Sequence, residues 1–130
     1  MSYLDQLFSL ENQTAVVIGG TGVLCGEMAQ GIAKAGAKTL IVGRSEEKGK
    51  QRVAAIQADG GEARFVAADV AERSSLEALL ADVLANEGKV DILVNGAGIN
   101  SPTPALDIQD EEFARIIDIN LAAVLRSCQV

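Results

Sequence analysis

The sequence has no histidine, no tryptophan and only one tyrosine, two prolines and two cysteines among 130 residues. Because it lacks histidine and any Cys-x-x-Cys pair, the common zinc ligand sets are missing and we expect no metal site. A Gly-x-x-x-x-Gly-Lys-Ser/Thr segment is missing too, which argues against a P-loop hydrolase. The cysteines, Cys25 and Cys128, are too few for a disulfide framework, which favours a reducing, cytoplasmic compartment.

Basic residues are also scarce. Eleven lysines and arginines stand against eighteen aspartates and glutamates, and the formal net charge of -7 has the wrong sign for binding nucleic acid. The N-terminus lacks the cationic and long apolar regions of a secretory signal. The longest charge-free windows, 12–26 and 92–106, contain glycine, asparagine or proline and are shorter than the roughly 20 apolar residues of a membrane span. We therefore expect neither nucleic acid nor a membrane as a partner.

Hydrophobic residues make up 48% of the chain, which is enough to build a buried core. At roughly 100 to 200 residues per domain, the length allows one domain, 1–130, and argues against a second. Short apolar runs predict buried strands at 14–18, 39–42, 63–67 and 90–94. Apolar residues at helical spacing predict helices over about 24–35, 46–59 and 76–88, and a last one that begins within 107–112.

The order βαβαβαβα predicts an α/β fold, a Rossmann-like doubly wound parallel sheet with helices on both faces. The final stretch, 121–130, still has a helical pattern where the sequence stops. We therefore expect the later strands and helices of such a fold to be missing, and the domain to be incomplete at its C-terminus.

Glycines cluster where strand one meets the first predicted helix. Gly19, Gly22 and the Cys25-Gly26 pair follow strand one directly, at the position where a nucleotide diphosphate binds to a helix N-terminus. Glycine permits the tight turn there and lets backbone N–H groups approach phosphate oxygens. The alternative is an ordinary strand-to-helix turn.

The residue after strand two indicates which dinucleotide binds. A fold that binds NAD usually has an acidic residue there, which accepts a hydrogen bond from the ribose 2′-hydroxyl. Here the strand is followed by Arg44, and a guanidinium pairs with a 2′-phosphate through charge-assisted hydrogen bonds. NADP is therefore favoured over NAD, and the alternative is a solvent-exposed arginine. Lys48 and Arg52 are expected to pair with the two glutamates in the first turn of the next helix.

Three further segments follow in order: Asp69-Val70, Asn95-Gly-Ala-Gly98 and Asp118-Ile-Asn120-Leu121. With the glycine turn and Arg44, they make the sequence resemble the short-chain dehydrogenase/reductase family from about residue 10 to 130. The resemblance implies an NADP(H)-dependent oxidoreductase, which transfers hydride between the nicotinamide and a carbonyl or secondary alcohol of a small molecule. Segments 19–24 and 96–100 are similar to those of members that act on sugar acids and polyols.

The resemblance also implies roles for individual residues. Asp69 and Val70 border the adenine, and the Asn95 segment lines the nicotinamide ribose. Asn120 is the asparagine of the family's catalytic tetrad, which holds a water of the proton relay. Alternatively, Asp69 caps a helix, Val70 belongs to the core, and Asn120 marks a helix kink or a satisfied polar residue of the core. The residues implied in cofactor binding are Gly19, Thr21, Gly22, Val23, Leu24, Arg44, Ser45, Asp69, Val70, Asn95, Gly96, Ala97 and Gly98.

Three positions depart from the family's pattern. Ile18 stands where threonine is typical, Cys25 where a third glycine is usual, and Gly96 where a second asparagine is more common. The side chain of Cys25 should crowd the first helix against strand one or push toward the diphosphate, so its replacement by glycine should tighten cofactor binding. A small buried cysteine is favoured over a redox-sensitive thiol.

In this family the chemistry requires a tyrosine four residues before a lysine, with a serine nearby. The only tyrosine is Tyr3, and Leu7 stands four residues later. The chain therefore resembles the cofactor-binding half of a longer enzyme. The alternative is a short, non-catalytic nucleotide-binding module or sensor. By resemblance alone, the last helix packs against its copy in a homodimer or homotetramer.

Overall fold

Four parallel strands form one sheet in the computed structural model, which describes all residues from 1 to 130. The spatial order is β3-β2-β1-β4, with β1 (Thr14–Ile18), β2 (Lys38–Gly43), β3 (Glu62–Ala67) and β4 (Ile92–Asn95). The helices are α1 (Tyr3–Phe8), α2 (Val23–Lys34), α3 (Glu46–Ala58), α4 (Arg73–Asn86), α5 (Asp110–Ile117) and α6 (Ala123–Gln129), with a π-helical turn (Asp118–Ala122) between the last two. None of these helices is long and apolar enough to cross a membrane. The predicted Rossmann-like α/β class is confirmed.

The strands end in register, which brings the loops that follow them to one edge of the sheet. Ile18, the last residue of β1, lies opposite Val42 of β2 and Asn95 of β4. Because β1 pairs with β2 on one side and with β4 on the other, the strand order reverses at β1. In open parallel sheets, ligands bind in the crevice at such a reversal, beyond the carboxyl ends of the strands.

Apolar residues of the strands face both sides of the sheet, as continuous apolar runs predict. Val16 and Ile18 pack toward α4 and α6, whereas Val17 packs toward α2 and α3. Two core clusters result, one on each face, and they hold the helices against the strands. The first contains Val16, Ile18, Leu40, Val42, Ala68, Val70, Leu76, Leu79, Val83 and Ala123, and the second contains Val17, Ala29, Ala33, Ile41, Ile56 and Ala63.

Two elements differ from the sequence prediction. The apolar pattern does not predict α1, which has no buried residue. This helix begins at a reciprocal capping box, in which the Asp5 N–H donates to Ser2 Oγ (3.1 Å) and the Ser2 N–H donates to the Asp5 carboxylate (2.8 Å). The predicted last helix is continuous, whereas the structure has a π-helical turn inside it.

Lys48 and Arg52 do not form the expected ion pairs with the glutamates in the first turn of α3. Lys50 rather than Lys48 pairs with Glu46, at 2.7 Å. Arg52 pairs with Glu27 of α2 at 3.0 Å, and its guanidinium occupies the space that a side chain at position 26 would need. Arg52 therefore joins α3 to α2 instead of stabilising α3 alone.

Asp91 joins the beginnings of β1 and β4. Its carboxylate accepts a hydrogen bond from the Thr14 N–H at 2.8 Å and lies 2.9 Å from Lys89 Nζ. The bond from Thr14, followed by the bond from Lys89, lowers the pKa of Asp91 below its usual value of 3.8. Asp91 directly precedes β4, which begins at Ile92, two residues later than predicted.

A pH dependence of stability follows from Asp91. Because its pKa is lowered in the folded chain, the stabilisation is complete above the unfolded value of 3.8 and is lost as pH falls through the folded value. We expect Asp91→Asn to lower the thermal midpoint by a few degrees at pH 7, and the difference from the wild type to shrink below about pH 4. Thermal melts between pH 3 and 7 measure this. Asp107→Asn, at an exposed carboxylate that forms no ion pair, is the control, and an equal effect there would contradict the assignment.

Candidate functional site

A cleft of about 420 Å³ opens at the carboxyl edge of the sheet, among the loops that follow all four strands and beside α5. This volume is within the roughly 300–1,000 Å³ of ordinary small-molecule sites. Nine of the thirteen predicted cofactor-binding residues line the cleft, and residues from distant parts of the sequence therefore meet in one site. The nine are Gly19, Thr21, Gly22, Arg44, Asp69, Val70, Gly96, Ala97 and Gly98.

The other four, Val23, Leu24, Ser45 and Asn95, do not line it. Val23 and Leu24 begin α2 and are 83% and 75% exposed, and their backbone N–H groups belong to its uncapped first turn. Ser45 Oγ accepts the Lys48 N–H at 3.3 Å and caps α3. The side-chain nitrogen of Asn95 lies 3.5 Å from the Cys128 sulfur at the end of α6.

The glycine turn is built by backbone contacts alone. The Gly19 N–H donates to the Val42 carbonyl at 2.9 Å, and the Gly22 N–H donates to the Gly19 carbonyl at 3.0 Å. Gly19 has a φ of +83°, and a Cβ there would lie 2.6 Å from the Gly96 carbonyl oxygen. Gly22 is the N-cap of α2 and offers no side-chain hydrogen bond. The first N–H groups of α2 are therefore open to a ligand.

Two arginines line the cleft, and neither lies within ion-pair distance of a carboxylate. Arg44 follows β2 as predicted, whereas Arg115 reaches the cleft from α5 and is not predicted by the sequence analysis. Most other lysines and arginines of this acidic chain form ion pairs. No local pattern distinguishes Arg115 from a surface arginine, because its position depends on how α5 packs against the sheet.

The loop after β3 agrees with the core interpretation of Val70 but not with the capping interpretation of Asp69, because the N-cap of α4 is Glu72. Asp69 Oδ1 accepts the Ala71 N–H at 2.9 Å, which is a local turn, while its Oδ2 has no partner. Val70 is 8% exposed and belongs to a core cluster, yet it also lines the cleft. Arg126 donates to the Val70 carbonyl at 2.7 Å and pairs with Asp118, which ties this loop to the last helices.

Asn120 lies in the π-helical turn and does not line the cleft. Its Oδ1 accepts the Ile99 N–H at 2.7 Å, and its Nδ2 donates to the Ile99 carbonyl at 2.8 Å. The alternative of a polar core residue is wrong in burial, because Asn120 is exposed, although its side chain is hydrogen-bonded and lies in an irregular turn of the helix. Ile99 itself lines the cleft, so Asn120 positions one wall of the site through two hydrogen bonds. Single π turns within helices are frequent at functional sites.

The sulfur of Cys25 does not lie toward the cleft, where one of the two sequence-based expectations placed it. Cys25 does not line the cleft, and it packs partly buried against the core cluster between the sheet and helices α2 and α3. Its Sγ stands where a side chain of Gly96 would be. The expectation that it pushes toward the diphosphate is wrong, because the missing side chain at position 96 leaves room for the thiol.

Comparison with known proteins assigns the chain to a family. A profile of the short chain dehydrogenases matches residues 13–130. The chain belongs to the short-chain dehydrogenase/reductase family. Membership implies a nicotinamide dinucleotide, NAD or NADP, as the cofactor. The fold and the order of the segments around the cleft agree with this assignment.

Three relatives show how much of a family member the chain represents. The uncharacterized oxidoreductase UxuB of Bacillus subtilis (strain 168) is 47% identical over 106 residues, which are 82% of this chain and 38% of that protein. The 2-dehydro-3-deoxy-D-gluconate 5-dehydrogenase of Formosa agariphila is 32% identical over 118 residues, 90% of this chain and 45% of that protein. A crystal structure of a short-chain type dehydrogenase/reductase from Mycobacterium marinum matches with a TM-score of 0.93 at 32% identity, covering 99% of this chain and 52% of that one. The chain spans about half the length of these relatives or less.

Proposed function

We propose that this chain is the NADP(H)-binding part of an oxidoreductase that transfers hydride between a nicotinamide and a carbonyl or secondary alcohol. The observation that carries the proposal is the cleft, where the glycine turn, Arg44, Asp69 and the segment Gly96 to Gly98 come together. In this proposal residues 1–130 form a single dinucleotide-binding domain.

The beginning of α2 has the properties of a diphosphate site. Its first N–H groups have no side-chain cap, and a helix N-terminus carries partial positive charge that favours an anion. Gly19 and Gly22 place no side chain between these N–H groups and the cleft. We assign the diphosphate to this turn, with the backbone of Val23 and Leu24 as further donors.

Arg44 supports NADP over NAD. Arg44 lines the cleft and forms no ion pair, so its guanidinium can bind a 2′-phosphate without first breaking an ion pair. No acidic residue lines the cleft beside it at the end of β2 to accept a ribose hydroxyl. Charge-assisted, planar hydrogen bonds make arginine well suited to phosphate.

The remaining cofactor groups are assigned to the ends of β3 and β4. Asp69 Oδ2 is free to accept a hydrogen bond from the exocyclic amine of adenine, and Val70 offers an apolar surface to its ring. The small residues from Gly96 to Gly98 let the nicotinamide ribose approach the backbone. When bound, the nicotinamide supplies the hydride chemistry, and the residues of this chain bind and orient it.

Asn120 is assigned a role in the reaction by family resemblance, as the residue that holds a water of the proton relay. In the structure its side chain is engaged with Ile99, so its contribution from the side chain is to hold the loop after β4. Proton donation to the carbonyl oxygen needs an acid such as the family's tyrosine-lysine pair, and Tyr3 is 74% exposed on α1 and does not line the cleft. The complete reaction is therefore proposed for the protein at its natural length.

The proposed substrate is a sugar acid or polyol. Its support is the similarity to a dehydrogenase of 2-dehydro-3-deoxy-D-gluconate. The proposed compartment is the cytoplasm, in keeping with two cysteines that are both free.

The proposed assembly is a homodimer or homotetramer. Phe113, Ile117, Leu121 and Leu125 recur at every fourth position of the last helices, and each is between 41% and 65% exposed. Four apolar residues on one helix face form a stripe that a second copy can cover.

A fluorescence titration with both reduced cofactors tests the proposal in the protein at its natural length. We expect NADPH to bind about tenfold or more tightly than NADH, because hydrogen bonds to charged groups contribute roughly 1.5–3 kcal/mol. Tighter binding of NADH would contradict the choice of NADP, and binding of neither would contradict the site. Binding without turnover of carbonyl or polyol substrates would favour the alternative, a nucleotide-binding module or sensor.

A further inference from the structure

Two of the departures from the family's pattern are in direct contact. A Cβ built on Gly96 would overlap Cys25 Sγ, and it would lie 3.2 Å from Cys25 Cβ and 2.8 Å from the Ile18 carbonyl oxygen. The added sulfur at position 25 and the missing side chain at position 96 therefore occupy the same space. Protein interiors are packed to nearly crystalline density, so this space holds one of the two groups and not both.

Gly96 is also held by contacts with Ile18 and Gly19. The Gly96 N–H donates to the Ile18 carbonyl at 2.9 Å. The Cα of Gly19 approaches the Gly96 carbonyl so closely that a Cβ on Gly19 would lie 2.6 Å from its oxygen. Gly96 thus sits between the glycine turn and the start of α2, and it continues directly into Ala97 and Gly98, which line the cleft.

We propose that Cys25 and Gly96 form a complementary pair, in which the thiol supplies the volume that residue 96 lacks and thereby positions the Gly96–Gly98 wall against the glycine turn. Cys25 is a positioning residue for the cofactor, since it acts through Gly96 and does not line the cleft. This inference rests on the proposed function. It reverses the expectation from sequence that Cys25→Gly tightens cofactor binding, because that change leaves a void beside the wall.

A double-mutant cycle tests the pair in the protein at its natural length. The variants are Cys25→Gly, Gly96→Ala and the two combined. We expect NADPH to bind about threefold more weakly to Cys25→Gly and about tenfold more weakly to Gly96→Ala, whereas the double variant binds at least about threefold more tightly than Gly96→Ala, because it loses the overlap with Cys25 Sγ and keeps only the close contact with the Ile18 carbonyl. Weakening in the double variant equal to the product of the single effects would overturn the proposal.

The control cycle replaces Gly96→Ala by Gly31→Ala. Gly31 is in the same helix as Cys25, and a Cβ built on it meets nothing within 4 Å. We expect Gly31→Ala to combine with Cys25→Gly without any coupling, both in dissociation constant and in thermal midpoint. Coupling of similar size in both cycles would show that any change of side-chain volume in α2 alters cofactor binding and stability. That result would overturn the pairing of Cys25 with Gly96.

Two readouts separate positioning from a purely structural role. Dissociation constants are measured at a temperature where every variant is folded, and thermal midpoints are measured without cofactor. Non-additive midpoints with unchanged dissociation constants would show packing alone and overturn the positioning role. If the wild type binds neither cofactor, the proposed function and the positioning role fail together, while the midpoints still decide whether the two residues share one space.

Discussion

Replacing Arg44 by aspartate is expected to weaken NADPH binding by about 30-fold or more, while the dissociation constant of NADH changes by no more than about threefold. The variant loses the charge-assisted hydrogen bonds to the 2′-phosphate and places a carboxylate beside it. NADH has a 2′-hydroxyl at that position, which can donate a hydrogen bond to the new carboxylate. Fluorescence titrations with both cofactors, at the same ionic strength, measure the two constants.

Lys48→Asp is the matched control for this change. It alters the net charge by the same amount within the first turn of α3, and Lys48 forms no ion pair and does not line the cleft. Because Lys48 does not line the cleft and moderate salt screens exposed charges, we expect NADPH binding to weaken by less than about twofold. If both variants weaken NADPH alike, the effect is one of overall charge. Unchanged NADPH binding in the Arg44 variant would show that Arg44 is a surface residue without a role in cofactor binding.

The second large effect is expected at Gly19, where alanine should abolish detectable cofactor binding and lower the free energy of unfolding by about 3 kcal/mol. Two causes contribute to this loss. The φ of +83° is unfavourable for a residue with a side chain, and a Cβ would lie 2.6 Å and 2.7 Å from the Gly96 carbonyl oxygen and carbon. Both neighbours are backbone atoms, so relief requires the turn and the β4 loop to move apart. Denaturant unfolding and NADPH titration measure the two losses.

Gly60→Ala separates the two causes. Gly60 has a nearly identical φ of +84°, but a Cβ there meets nothing within 4 Å. We expect only the conformational cost, about 1 kcal/mol in the free energy of unfolding, and an unchanged affinity for NADPH. Equal destabilisation by the two alanines would mean that Gly19 is needed for its φ alone. The close approach to Gly96 would then contribute nothing to the loss of stability.

Burial and capping explain which elements could be predicted. β1 is buried along its length and occurs at the predicted Thr14–Ile18, and α3 begins after the predicted N-cap Ser45. β4 begins two residues later than the apolar run predicts, directly after Asp91, which accepts a hydrogen bond from the backbone of β1. The short helix α1 has no buried face, so the hydrophobic period contains no signal for it.

In the candidate site, too, features set by a short segment could be predicted, whereas side-chain directions could not. The glycine turn and Arg44 could be located because strand burial and turn glycines are local features, and because parallel strands place their carboxyl ends at one edge. That Val23, Leu24 and Ser45 do not line the cleft depends on the direction in which each side chain leaves the backbone.

From the order of residues alone came the α/β class, the family, the glycine turn and the cation after β2, since each is a property of one short segment or of segment order. The tertiary structure decided three further contacts: Arg115 reaches the cleft, Asn120 holds Ile99, and the Cys25 sulfur fills the space at Gly96. These join residues far apart in the chain. Their meeting depends on how helices pack on the sheet, which local spacing does not specify.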